Sequence, residues 1–95
     1  MIIFSEKQLN LDNLLIQLRT QVTPSWYQFG LALGVAKDVL NKYSKCPKEE
    51  SLVELADYWL RNSPTKPTWR DVAKALKKIG VDSLANDILN VYKTG

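Results

Sequence analysis

The chain has no histidine, a single cysteine, one methionine and only four glycines and four prolines among 95 residues. Without histidine it lacks the side chain that most readily moves protons near neutral pH and the most frequent metal ligand, so most triad and zinc chemistries are excluded. Cys46 has no second thiol to pair with. Beside Pro47 it reads as an ordinary residue at the start of a helix rather than a nucleophile, and a lone thiol fits a reducing compartment. Long apolar runs are missing too. Ile2-Ile3-Phe4 gives way at once to Ser5-Glu6-Lys7, shorter than a signal-peptide core and far from the ~20 residues of a spanning helix, so a cytoplasmic protein with no membrane partner is expected. Nor is there a large excess of one charge. Thirteen basic residues stand against ten acidic ones, a net +3 that suits protein partners better than nucleic acid. No glycine-rich phosphate loop or serine elbow occurs, and Glu49 and Glu50, adjacent in sequence, do not face each other on a helix, so no enzyme, small-molecule substrate, cofactor or metal site is expected.

What the chain does have is apolar content. Hydrophobic residues make up 45% of it and charged residues 24%, enough to form one core in one domain spanning 1–95. Breakers at Thr23-Pro24, Gly34, Cys46-Pro47, Ser63-Pro64 through Lys66-Pro67, and Gly80 divide it into short segments, none with the alternation of a strand. The fold class read from this is all-α, with helices over roughly 8–22, 24–33, 36–44, 48–62, 68–79 and 82–92.

The first helix carries Leu11, Leu14, Leu15, Leu18 and Val22 on one stripe, with Ser5 and Gln8, or Asp12, as candidate caps. Thr23 and Pro24 read as the cap and first-turn proline of the second, which turns Trp26, Phe29 and Leu33 inward and ends at Gly34. Gly30 lies inside this helix at a cost of about 0.5–1 kcal/mol relative to alanine, which predicts a neighbouring backbone or ring packed against it. The third helix offers only Val39, Leu40 and Tyr43 to the core. Pro47 opens the fourth, where Glu49 and Glu50 meet the positive end of the dipole, and Leu52, Leu55, Ala56, Trp59 and Leu60 make it the central helix. Thr68 and Asp71 form a capping box for the fifth, whose stripe is Trp69, Val72, Ala73, Leu76 and Ile79, and Gly80 ends it as a left-handed cap. Asp82 caps the sixth, with Leu84, Ala85, Ile88, Leu89 and Tyr92 apolar. Trp26, Trp59 and Trp69 are read as core.

The order of these helices and their aromatic punctuation resemble a death domain of the death-fold superfamily, in particular divergent invertebrate ones. The second helix, Trp26-Tyr27-Gln28-Phe29-Gly30-Leu31-Ala32-Leu33-Gly34-Val35, is similar to the family's aromatic followed by a Leu-Gly turn. Leu55 through Arg61 places Trp59 where the family has its fourth-helix core tryptophan. Pro67-Thr68-Trp69 with Val72, Ala75-Leu76, Ile79-Gly80, Leu84-Ala85 and Ile88 is similar to its fifth helix, turn and sixth helix. The resemblance implies a six-helix antiparallel bundle in Greek-key order that binds other death domains, its own copies or relatives, in signalling complexes for cell death or innate immunity. It implies no catalysis and no cofactor.

Three charged surfaces are candidates for that role. Glu50, Glu54, Asp57 and Arg61 recur at three-and-four spacing on the outer face of the fourth helix. The third presents Lys37, Asp38, Lys42 and Lys45. A head-to-tail contact between these unlike patches would be heterologous and would build rings or helical filaments. The resemblance implies a recurring contact of this kind, between a first-and-fourth-helix surface and a second-and-third-helix surface. Arg70, Lys74, Lys77 and Lys78 on the fifth helix, with Asn62 through Lys66 before it, form the third surface. The same basic stripe supports the alternative of a small helical nucleic-acid-binding domain, against which stand the low net charge and Asp71 within the stripe.

Overall fold

The computed structural model describes residues 9–91, with Val91 placed only as a backbone position. Ile2-Ile3-Phe4, the candidate caps Ser5 and Gln8, the first residue of the expected helix over 8–22, and Tyr92 lie outside the described residues. The described chain is all-helical, with no strand: α1 Leu11–Val22, a 3-10 turn Thr23–Ser25, α2 Trp26–Ala32, α3 Lys37–Tyr43, α4 Lys48–Asn62, α5 Trp69–Lys78 and α6 Asp82–Val91.

Local chemistry at the helix ends explains these bounds. α1 begins after Asn10, whose side chain accepts from the Asn13 N–H at 2.9 Å, so Asn10 is the cap and Asp12 sits in the first turn. At the other end, the expectation that Thr23 caps the second helix is corrected. Its hydroxyl donates to the Arg19 carbonyl at 2.6 Å, closing α1 instead, and Pro24 lies in the 3-10 turn, so α2 starts only at Trp26. A threonine hydroxyl can do either job, and the carbonyl behind it was the nearer partner.

Gly34 and Gly80 have φ of +92° and +84°. Each ends a helix in the same way. Gly34 N–H donates to Leu31 O and Val35 N–H to Gly30 O, while Gly80 N–H donates to Lys77 O and Val81 N–H to Leu76 O, the paired bonds of a Schellman turn. Thr68 and Asp71 form the reciprocal capping box, with Asp71 N–H to Thr68 Oγ1 at 3.2 Å and Thr68 N–H to Asp71 Oδ2 at 3.1 Å. Asp82 is no cap, in contrast to the sequence reading. It is the first residue of α6, and the first bond of that helix runs from Ala85 N–H to the Val81 carbonyl.

α4 is the hub, packed by α1, the 3-10 turn, α2 and α3, while α5 and α6 pair with each other and α2 bridges α4 to α5. The core gathers Leu14, Leu18, Phe29, Leu40, Leu52, Leu55, Val72, Leu76 and Ile88, all essentially without solvent exposure, with Trp26, Trp59 and Trp69 buried at its edge. Of the residues expected in the core, Leu33 and Leu60 are only half-buried and pack against it from outside. Each comes at or near the end of its helix, where one flank meets solvent.

Gly30 is where α3 docks. A Cβ built there lies 2.5 Å from Leu40 Cδ2 and 3.1 Å from Leu55 Cδ1, so the missing side chain makes room for aliphatic groups of α3 and α4, not for the ring or backbone expected from the sequence. Leu40 is the one fully buried side chain of α3, since Val39 and Tyr43 are half-buried. A second tie holds the same corner. Ser51 is 0% exposed, and its hydroxyl donates to the Tyr43 carbonyl at 2.6 Å, joining the end of α3 to the first turn of α4.

Candidate functional site

α3 and α4 hold the first pair of candidate patches, and the Ser51 bond fixes their junction. Lys37, Asp38, Lys42 and Lys45 are exposed on and just after α3, and Glu50, Glu54 and Arg61 are exposed along α4. Asp57 departs from this pattern. It is half-buried and accepts from Arg61 Nε at 3.0 Å, the ion pair found among the described residues, so the charges of these two largely cancel. Glu50 and Glu54 are therefore what remains of the acidic stripe.

α3, which bears the lysines, packs on α4, which bears the carboxylates. Burial first, and then the charges of Glu54, Tyr58 and Asp57, push the Tyr43 phenol above its ordinary pKa of 10.0. On its other side α3 meets α2, where the Tyr27 hydroxyl donates to Asn41 Oδ1 at 3.0 Å.

The third patch, Arg70, Lys74, Lys77 and Lys78, is exposed along α5. Asp71 does not dilute it as the sequence suggested. Its carboxylate turns back into the capping box and the residue is half-buried, so the outward face of α5 carries cations. Beside this face opens a cleft of about 270 Å³, formed by the end of α2, the end of α4, the 63–67 loop and α5. Leu33, Trp59, Pro67 and Ala75 supply apolar lining, and Asp71, Lys74 and Lys78 supply charge. The loop that frames the cleft is held at its start by side chains that satisfy the last carbonyls of α4: Ser63 Oγ donates to Trp59 O at 2.6 Å and Asn62 Nδ2 to Tyr58 O at 2.9 Å.

No group of three or more histidine, cysteine, aspartate or glutamate side chains that could hold a metal ion occurs among the described residues. Cys46 is a free, half-buried thiol in the turn before α4, where its N–H donates to the Tyr43 carbonyl. No helix among the described residues is long and apolar enough to cross a membrane.

The cleft and the buried Ser51 were not read from the sequence. Ser51 carried a signal, because a small polar residue at i−4 from Leu55 sits on the apolar stripe of α4 and needs a partner there. The cleft carried none, since its lining comes from three separate segments. No family model, curated protein or solved structure matches the chain.

Proposed function

We propose that this chain is a docking module for other protein domains, a death-domain-like bundle of six antiparallel helices in Greek-key order that assembles with its own copies or with similarly folded partners in an intracellular signalling complex. In this reading it has no catalytic activity of its own and works in the reducing environment of the cytoplasm, with which the free thiol of Cys46 is consistent. The observation that carries the reading is the pair of exposed, oppositely charged patches on two helices that pack together, Lys37, Lys42 and Lys45 on and just after α3 and Glu50 and Glu54 on α4. Unlike patches on one molecule are complementary to the same patches on the next.

An exposed ion pair contributes only about 0.2–1 kcal/mol, so one such contact does not hold two small domains. Several surfaces acting together multiply modest affinities by about 10²–10⁴. The test is sedimentation velocity on the parent, Lys42→Glu, Glu54→Lys and the double variant. Glu54 is chosen over Asp57 because Asp57 is already engaged by Arg61 within its own helix. Each single reversal is expected to weaken self-association by about two- to fivefold, the double variant to recover it, and the melting temperature to stay put. Association unaltered in both single variants would remove the proposed contact.

A second reading keeps one specific observation in its favour. With Asp71 drawn into its cap, Arg70, Lys74, Lys77 and Lys78 form a cation-only face of the kind that contacts a phosphate backbone. A mobility-shift titration with random duplex at low salt decides this, and binding weaker than about 10⁻⁴ M removes it.

A further inference from the structure

Ile16 is 69% exposed, the barest large apolar side chain among the described residues. It lies off the stripe that α1 buries, and on its own face it is preceded one turn earlier by Asp12 and followed nearly one turn later by Arg19, both exposed. α1 packs on α4, so no other described element covers this outer face of the helix. A lone exposed isoleucine is common on protein surfaces. What singles this one out is the match to the cleft beside α5.

The α5 edge of that cleft is Asp71, Lys74, Ala75 and Lys78, one face of the helix over two turns. Asp71 and Lys78 are seven residues apart, and so are Asp12 and Arg19, a rise of about 10 Å in each case. Each runs from an acidic residue to a basic one along the chain. With α1 of one copy laid antiparallel along α5 of another, Asp12 meets Lys78 and Ile16 falls over Ala75, towards the apolar lining of Leu33 and Trp59, with Arg19 at the end of the cleft where Asp71 sits in its capping box. The cleft's 270 Å³ is a little below the roughly 300–1,000 Å³ of sites that enclose a drug-sized molecule, and it suits one or two side chains of a partner.

We infer that the Asp12–Ile16–Arg19 face of α1 docks into the α5 cleft of a second copy, so that each copy carries one knob and one hole. This deepens the docking function proposed above and rests on it, but uses different residues from the α3–α4 contact. The contact is heterologous: the knob and the hole are different surfaces, and copies add in one direction without exhausting their free ends.

The experiment is sedimentation velocity over a concentration series at low ionic strength with the parent, Ile16→Asp, Lys78→Glu and the pair Asp12→Lys with Lys78→Glu in one chain. Ile16, Asp12 and Lys78 are all exposed, so melting temperatures are expected to match the parent. Ile16→Asp is expected to weaken association by about tenfold, as loss of a central anchor does, and Lys78→Glu by about two- to fivefold, as reversal of an exposed charge does. An equimolar mixture of the two recovers one contact per pair, a dimer that cannot extend, because one supplies an intact cleft and the other an intact knob, and the charge-swapped chain recovers full association alone. Ile16→Asp sedimenting like the parent, or a mixture no more associated than its components, overturns the inference. If that happens while Glu54→Lys still weakens association, the docking function stands without this contact. A parent that stays monomeric throughout overturns this inference and the self-association proposed above.

Discussion

At Gly30 two requirements oppose each other. A helix gains about 0.5–1 kcal/mol when an interior glycine becomes alanine, yet a Cβ here would stand 2.5 Å from Leu40, which has no exposed surface along which to retreat. Overpacking of this kind costs about 1–3 kcal/mol and wins. Gly30→Ala is therefore expected to lose about 1 kcal/mol in urea unfolding, and Leu40→Val to cost less in that background than alone, as coupled neighbours do. Gly80→Ala is expected to lose a similar amount for another reason. Nothing lies within 4 Å of its added Cβ, but φ of +84° burdens any side chain by about 1–2 kcal/mol, and no change at Leu40 relieves it. Tyr43 offers a residue-scale probe of the charged corner. Its folded-state pKa is raised, so the folded chain holds the phenolic proton more tightly than the unfolded one and stability falls as pH rises past 10.0. Tyr43→Phe is expected to flatten that alkaline fall and to leave stability below pH ~9 without a new pH dependence, measured by thermal melts across pH 7–11 against the parent.

Among the elements, α5 is the most locally specified. Its cap, its stripe and its terminal glycine all act within the segment, and Thr68→Ala is expected to cost about 1 kcal/mol, a fall in melting temperature of about 4–8 °C for a domain of this size. Such ends were legible in the sequence because their hydrogen bonds close within five residues: Thr68 with Asp71, Gly80 with Lys77 and Val81 with Leu76, Gly34 with Leu31 and Val35 with Gly30. Thr23 was misread because a hydroxyl both donates and accepts, and Asp82 because an acidic residue is equally at home at the cap and in the first turn. What the sequence hid depends on distant partners. The notch at Gly30 is filled by Leu40, ten residues on, and by Leu55, twenty-five residues on, and the hydroxyl of Ser51 reaches back eight residues to Tyr43. The charged patches could be read from helical spacing, but not that Asp57 spends its charge on Arg61.

For the whole molecule, the closed apolar interior and the polarised exterior are separable by mutation. The buried tryptophans report only on folding, because truncating one costs about 3–5 kcal/mol out of a total of about 5–15. The exposed charges and Ile16 report on assembly, and the sedimentation experiments above depend on that separation. The seven-residue α3 is fastened by one fully buried leucine, by the half-buried Val39 and Tyr43, by the Tyr27 hydroxyl on Asn41 and by the Ser51 bond at its end. Its lysines therefore ride on an element tied to the bundle by a handful of nameable contacts, so each tie can be cut singly, at Leu40, Tyr27 or Ser51, to ask how firmly the charges are held.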